Sequence, residues 1–230
     1  MMSQPDGLNS LSRRDAEALF HPYTNAIAND RDGPLVITRG DGVRVWDEDG
    51  NEYIEGMSGL WCASLGFGET RLADAAAQQM RTLPFYHGFS QKSHPPQIEL
   101  AEKLKAMAPM ETARVFFCNS GSEAIDTAIK LIRYYNNAVG RPEKKKIVSR
   151  FKAYHGVTVA AASATGVPLN HAKFDLPIEG FLHTDMPHFY RYGAPGETEE
   201  EFATRCAENL EKLILDEGPE TVAAFFAEPV

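Results

Sequence analysis

Between Arg114 and Ser149 the chain reads as strand, helix, strand, and this alternation limits the possible folds more than any other stretch. Arg114 to Cys118 reads as a buried-type strand, Ser122 to Asn137 as a helix with Ile125, Ala128, Ile129 and Ile132 on one face, and Lys146 to Ser149 as a second strand. A connection of this length with a helix in it joins parallel strands, not the two arms of a hairpin. The expected class is therefore α/β with a mostly parallel sheet. Phe181-Leu182-His183 and Val222 to Ala227 are expected as further strands. Glu199 to Asp216 is expected as a helix, with Phe202, Cys206, Leu210, Leu213 and Ile214 at helical spacing. Its acidic start, Glu199 to Glu201, suits the positive end of the helix dipole.

The amino-terminal stretch has a different grammar. Ser12 to Phe20 predicts a short helix, ended at His21-Pro22 because the residue before a proline avoids helical angles. Short β-type runs follow at Leu35 to Ile37, Val43 to Trp46 and Tyr53-Ile54, separated by Gly40-Asp41-Gly42 and by Asp47 to Asn51, both turn signals. They predict a small antiparallel meander. Arg71 to Leu83 and Gln97 to Met107 have helical patterning, with the aromatic loop Phe85 to Phe89 between them.

Charge and cysteine usage narrow the partners. Lys plus Arg number 23 against 32 Asp plus Glu, a formal charge of −9, which speaks against a nucleic-acid-binding surface and for small-molecule partners. No stretch is apolar enough to cross a bilayer, and Met1 to Arg14 lacks the apolar core of a secretory signal, so neither membrane nor export is expected and the expected location is cytoplasmic. Cys62, Cys118 and Cys206 are far apart and odd in number, as suits reduced thiols. The seven histidines contain no HExxH and no pair at zinc-motif spacing, so no metal site is expected.

Three segments carry residue types suited to chemistry. Asn119 to Ala124 lies where a strand turns into a helix. Either a serine there caps the helix with Glu123 in the first turn, or the free N–H groups at the positive helix end hold an anion, phosphate above all. Ala153-Tyr154-His155-Gly156 follows a strand in a turn, where the Tyr154 ring either packs or lies flat against a planar ligand. Glu55 to Cys62 sets Trp61 in a glycine-rich segment, as core filler or as pocket wall.

Taken in order, Gly42-Val43 with Trp46 to Gly50, Gly56 to Cys62, Asn119 to Ala124, Tyr154-His155-Gly156 and Ala227 to Val230 resemble class III aminotransferases over nearly the whole chain. Leu60-Trp61-Cys62 and His21-Pro22-Tyr23 resemble the ω-amino-acid:pyruvate, or amine:pyruvate, branch. The resemblance implies a fold type I pyridoxal-phosphate-dependent transferase, present only in part. Residues 1–65 would be the amino-terminal helix and meander of its small domain, and 66–230 the first part of its large domain. It implies transfer of an amino group from an ω-amino acid or amine to pyruvate through pyridoxal 5'-phosphate, by a homodimer. Ser120, Gly121 and Ser122 would hold the cofactor phosphate, Tyr154 would stack on its ring with His155 beside it, and Glu228 would help order the site. Tyr23, Leu60, Trp61 and Phe89 would shape the substrate pocket, with His87-Gly88 in place of a commoner Asn-Thr pair.

The family's Schiff-base lysine, and the aspartate that keeps the pyridine nitrogen protonated, follow its Glu-Pro-Val motif, which here is Glu228-Pro229-Val230. Lys130, Lys144 to Lys146 and Lys152 do not correspond to that lysine, so no catalytic residue is expected within the chain. The expectation is the amino-terminal part of a working aminotransferase, inactive by itself. The alternatives are a catalytically silent cofactor-binding or interaction module derived from the family, and an unrelated α/β nucleotide-binding protein using the Ser120 to Ser122 turn.

Overall fold

The computed structural model describes residues 10–111 and 114–228. The chain divides into two units, residues 1–100 and 101–230.

In the first unit, helix α1 (Leu11–Ala18) starts where Ser10 accepts a hydrogen bond from the Arg13 amide and stops as Leu19 turns extended, close to the predicted bounds. Helix α2 (Ala26–Asp32) has no periodic signal in the sequence; the Asn25 side chain caps it by accepting from the Ala28 amide. Strands β1 (Ile37–Asp41), β2 (Arg44–Asp47) and β3 (Glu52–Ile54) form the expected antiparallel meander in the order β1-β2-β3. Gly40 and Asp41, expected in the first turn, extend β1 instead: Asp41 pairs with Arg44, so the chain reverses within Gly42-Val43. Asp47 organises the second turn. Its buried carboxylate accepts from the amides of Asp49 (3.0 Å) and Asn51 (2.8 Å), the Asn51 side-chain amide (2.9 Å) and the Tyr53 hydroxyl (2.8 Å). These bonds, the Asn51 side chain first, hold its pKa below the ordinary carboxylate value.

After β3 the chain makes the short turn α3 (Ser58–Trp61), then the helices α4 (Thr70–Thr82) and α5 (Pro95–Met107). α4 and α5 follow the predicted pattern, yet neither has a buried residue: Leu72, Met80, Ile98, Leu100 and Leu104 all stand exposed.

The second unit is a parallel three-stranded sheet with helices. β4 (Lys146–Arg150) is central, flanked by β5 (Phe181–Thr184) and β6 (Val222–Phe225), with Ile147 level with Phe181 on one side and Ala224 on the other. Helix α6 (Gly121–Ala138) lays Ile125, Ile129 and Ile132 against Ile147, Ala164 and Phe181 to make the core. Helix α7 (Val159–Ala164) consists of small residues, which lets Ser149 Oγ donate to the Ala164 carbonyl at 2.5 Å. The turn α8 (Phe189–Tyr192) precedes α9 (Glu199–Glu217), whose first turn is closed by a capping box between Thr198 and Glu201.

The strand expected at Arg114 to Cys118 is not formed. A strand exists by pairing; β4 spends both edges on β5 and β6, and none of the described strands pairs with this segment. Phe116 is accordingly 71% exposed.

Candidate functional site

The carboxyl ends of β4 and β6 and the start of α6 come together in the second unit. Ser120 caps α6, its Oγ accepting from the Glu123 amide at 3.1 Å, while the Glu123 carboxylate reaches back to accept from the Asn119 amide at 2.7 Å. The capping reading of this turn therefore holds for Ser120, and it leaves the next two residues available. Gly121 has nothing within 4 Å of where a side chain would begin, so the helix start is open above it. Ser122 is buried, and its Oγ accepts from the Val157 amide at 3.0 Å. Its own proton is not used in that bond, so the hydroxyl can still donate. The amides of a helix's first turn have no intrahelical acceptors, and the helix dipole adds partial positive charge. An anion of phosphate size fits this chemistry.

Val157 ends the loop that leaves β4. In it the Tyr154 amide donates to Glu228 Oε1 (3.2 Å) and the His155 amide donates to Thr165 Oγ1 (2.9 Å). The Tyr154 ring is 51% exposed, a half-open aromatic face suited to stacking. The His155 side chain is only 7% exposed, and its Nε2 has no hydrogen-bond partner among the described residues; Glu228 Oε1 stands 3.6 Å away. Burial pushes the His155 pKa down, and the Glu228 charge opposes that shift. Glu228 follows β6, and Arg150 at the end of β4 ties the two strand ends by donating from Nη1 to the Glu228 carbonyl at 3.1 Å. Pro229 and Val230 of the Glu-Pro-Val motif lie outside the described residues.

Ser120 to Ser122 thus open α6, where the Val157 amide ties Ser122 to the loop that carries Tyr154 and His155, and the Tyr154 amide ties that loop to Glu228, all at the strand ends, where open α/β sheets bind ligands. Sequence reading missed two supports. Thr158 caps α7 and donates from Oγ1 to Asp126 Oδ1 (2.8 Å), and Thr165 receives the His155 amide. A threonine before an alanine run is a cap signal that could have marked Thr158; nothing local marks Thr165.

Tyr23, Leu60, Trp61 and Phe89 belong to the first unit, and all four are exposed there, Trp61 at 75%. Trp61 is not core filler in this unit. Three of the four sit on left-handed backbone: Tyr23 at φ 52°, Leu60 at 57° and Trp61 at 68°. Ser58 (φ 51°) and Gly59 (φ 60°) share that conformation, so the whole turn α3 is left-handed. Each non-glycine residue held this way costs on the order of 1–2 kcal/mol. The Glu55 carboxylate spans the turn, Oε1 accepting from the Met57 amide (2.9 Å) and Oε2 from the Gly59 amide (2.7 Å).

Residues 26–230 match the sequence profile of the aminotransferase class-III family. Over 213 residues the chain is 56% identical to a vanillin aminotransferase from Capsicum chinense, covering 92% of this chain and 46% of that protein. It is 54% identical to gamma-aminobutyrate transaminase 1, mitochondrial, from Oryza sativa subsp. indica, covering 92% of this chain and 41% of that protein. In structure it matches the omega transaminase of Pseudomonas jessenii in complex with PMP, with a TM-score of 0.94 at 57% identity, over 96% of this chain and 49% of that one. The chain therefore spans about half the length of the relatives it matches. The fold is that of fold type I pyridoxal-phosphate-dependent transaminases, as expected. The cytoplasmic expectation is corrected by the same finding: gamma-aminobutyrate transaminases of rice and tomato at 54% identity carry a mitochondrial designation.

Proposed function

The chain belongs to the class III aminotransferases, and from that premise we propose that its protein moves an amino group from an ω-amino acid or amine to pyruvate, with pyridoxal 5'-phosphate as cofactor. The observation that carries this reading is the bond from the Val157 amide to Ser122 Oγ, which brings an anion-binding helix start and a half-exposed tyrosine ring to one place. A phosphate at one end and a flat ring at the other are what such a site suits. Bound there, the cofactor supplies the electron sink that transamination needs.

This chain's residues then divide the work. Gly121 and Ser122 would donate to the phosphate through backbone amide and hydroxyl, and Ser120, which holds the helix start in shape, would add its hydroxyl. Tyr154 would stack on the ring. Glu228 fixes the Tyr154 backbone through its amide, and the buried, neutral-leaning His155 fills the space beside them. Tyr23, Leu60, Trp61 and Phe89 form the wall that meets the donor, with residues 1–65 contributing to the small domain and 66–230 opening the large one. The working form is a homodimer. The relatives' names, which include gamma-aminobutyrate and omega transaminases, support a donor whose amine stands away from its carboxylate or lacks one.

The test is a donor panel on the full-length protein that carries this chain, measuring alanine formed from pyruvate. Turnover with at least one ω-amino acid or simple amine is expected. Replacing Ser122 by alanine should weaken cofactor binding roughly ten- to a hundredfold, since a hydrogen bond to a charged group is worth roughly 1.5–3 kcal/mol. Tight cofactor retention with no alanine from any donor would instead favour a silent cofactor-binding module.

A further inference from the structure

We propose that Glu55 is a positioning residue that sets donor preference: its carboxylate holds Ser58 to Trp61 in a left-handed turn and so fixes how Leu60 and Trp61 face an incoming amine. This inference rests on the donor-pocket reading above, but the residue it concerns touches neither donor nor cofactor in that reading.

The left-handed turn is a conformation that needs a cause. Ser58, Leu60 and Trp61 all bear a Cβ, and only Gly59 of the four adopts positive φ without steric cost. A left-handed run of this length is not a local preference of such residues, so something outside it must impose it. Two anchors do so. Glu55 lies at the end of the meander, where its own amide donates to the Val43 carbonyl at 2.9 Å. From that fixed point its two carboxylate oxygens accept separately from the Met57 and Gly59 amides, clasping the turn at its start and middle. Phe67 supports the other side. It pairs with Gly42 through two backbone bonds of 2.8 and 2.9 Å, and its ring lies 3.7 Å from where a Gly59 Cβ would begin.

Both anchors lead back to β1 and β2, so the turn is a rigid extension of the meander. Leu60 and Trp61 ride on it, both exposed, and the Trp61 amide is bonded to the Met57 carbonyl at 2.8 Å, so their direction follows that of the turn. A glutamine at position 55 keeps the size of the side chain but replaces one acceptor oxygen with an NH₂ group, which confronts a backbone N–H. One clasp is lost and the left-handed turn relaxes, carrying Trp61 with it.

The experiment compares wild type, Glu55→Gln and Glu55→Asp in the full-length protein. Three quantities are read: cofactor retention, the ratio of kcat/KM for a bulky aryl-alkyl amine to that for a small linear ω-amino acid, and acrylamide quenching of the Trp61 fluorescence, taken as the difference between each protein and its Trp61→Phe counterpart. In Glu55→Gln the donor ratio should shift by about tenfold, with altered Trp61 quenching and unchanged cofactor retention. Aspartate, one carbon shorter, cannot reach both amides and should shift the ratio in the same direction. An unchanged ratio in a folded, cofactor-retaining Glu55→Gln protein overturns the proposal, as does an unchanged ratio in Glu55→Asp should the glutamine variant fail to fold. Failure of both variants to fold also overturns it, because Glu55 would then be structural. Absence of turnover in the wild type is the separate failure of the transaminase reading; the quenching comparison still decides whether Glu55 holds the turn.

Discussion

At Gly156 the backbone φ is 140°, and a methyl group there would fall 2.5 Å from Ser122 Oγ and 2.8 Å from Ala161 Cβ. Glycine at this position is therefore what lets the loop after β4 come close enough for the Val157 amide to reach Ser122. Gly156→Ala should push the loop away from α6, costing about 1–3 kcal/mol for the strained backbone, and should weaken cofactor binding as Ser122→Ala does. Thermal melts and cofactor titration of the full-length variant check this; a folded variant with wild-type cofactor affinity would mean that the loop and the helix start are independent. Much of the site is legible as letters, because a serine before a helix and a tyrosine in a turn signal by residue type. What joins them is not. The donors that reach Ser122, Thr165 and Glu228 are backbone amides of Val157, His155 and Tyr154, and every residue except proline has one.

Among the elements, the long helices were readable because their apolar residues repeat at about 3.6 residues, and the parallel strands β4, β5 and β6 because they are short apolar runs, a signal that also misled at Arg114 to Cys118. β4, β5, β6, α6 and α9 all begin within two residues of where that pattern places them. The short elements α2, α7 and α3 were not, since each depends on one side chain outside it: Asn25, Thr158 and Glu55 respectively. The segment before α9 shows how such a contact can also depend on pH. Glu197 accepts two bonds from Arg205 (2.8 and 2.9 Å) and one from the Ala194 amide (2.7 Å), while Arg205 also donates to the Tyr192 carbonyl at 3.0 Å. The Arg205 bonds, with the Ala194 amide, lower the Glu197 pKa from 4.5 to about 2. A carboxyl depressed on folding adds stability that is fully present above its unfolded pKa and is lost as pH falls through the folded one. Glu197→Gln should therefore lower the unfolding midpoint at neutral pH, with the difference from wild type shrinking as pH falls from about 4.5 towards about 2. The Arg205 side chain is 41% exposed, so added salt should shrink the difference too. Denaturant titrations by circular dichroism across that range would reveal an error if the gap held constant to the acid end.

Across the molecule as a whole, an unusual number of large apolar side chains face outwards, among them Phe20, Ile27, Trp61, Phe85, Phe89 and Leu169. The outer edges of β5 and β6 are unpaired among the described residues. Apolar patches and open strand edges recruit other chains. Residues 1–230 produced alone should therefore bind a hydrophobic dye and associate as concentration rises, and a dye-silent monomer in sedimentation at micromolar concentration would contradict this. The parallel sheet has one more consequence. Because β4, β5 and β6 all run the same way, the segments that follow them emerge along a single rim, and Arg150 fastens two of these together at Glu228. The strands beneath contribute packing, while the rim carries the residues proposed above to hold the cofactor. A lineage can thus alter the rim one loop at a time, while the inherited sheet goes on folding as before.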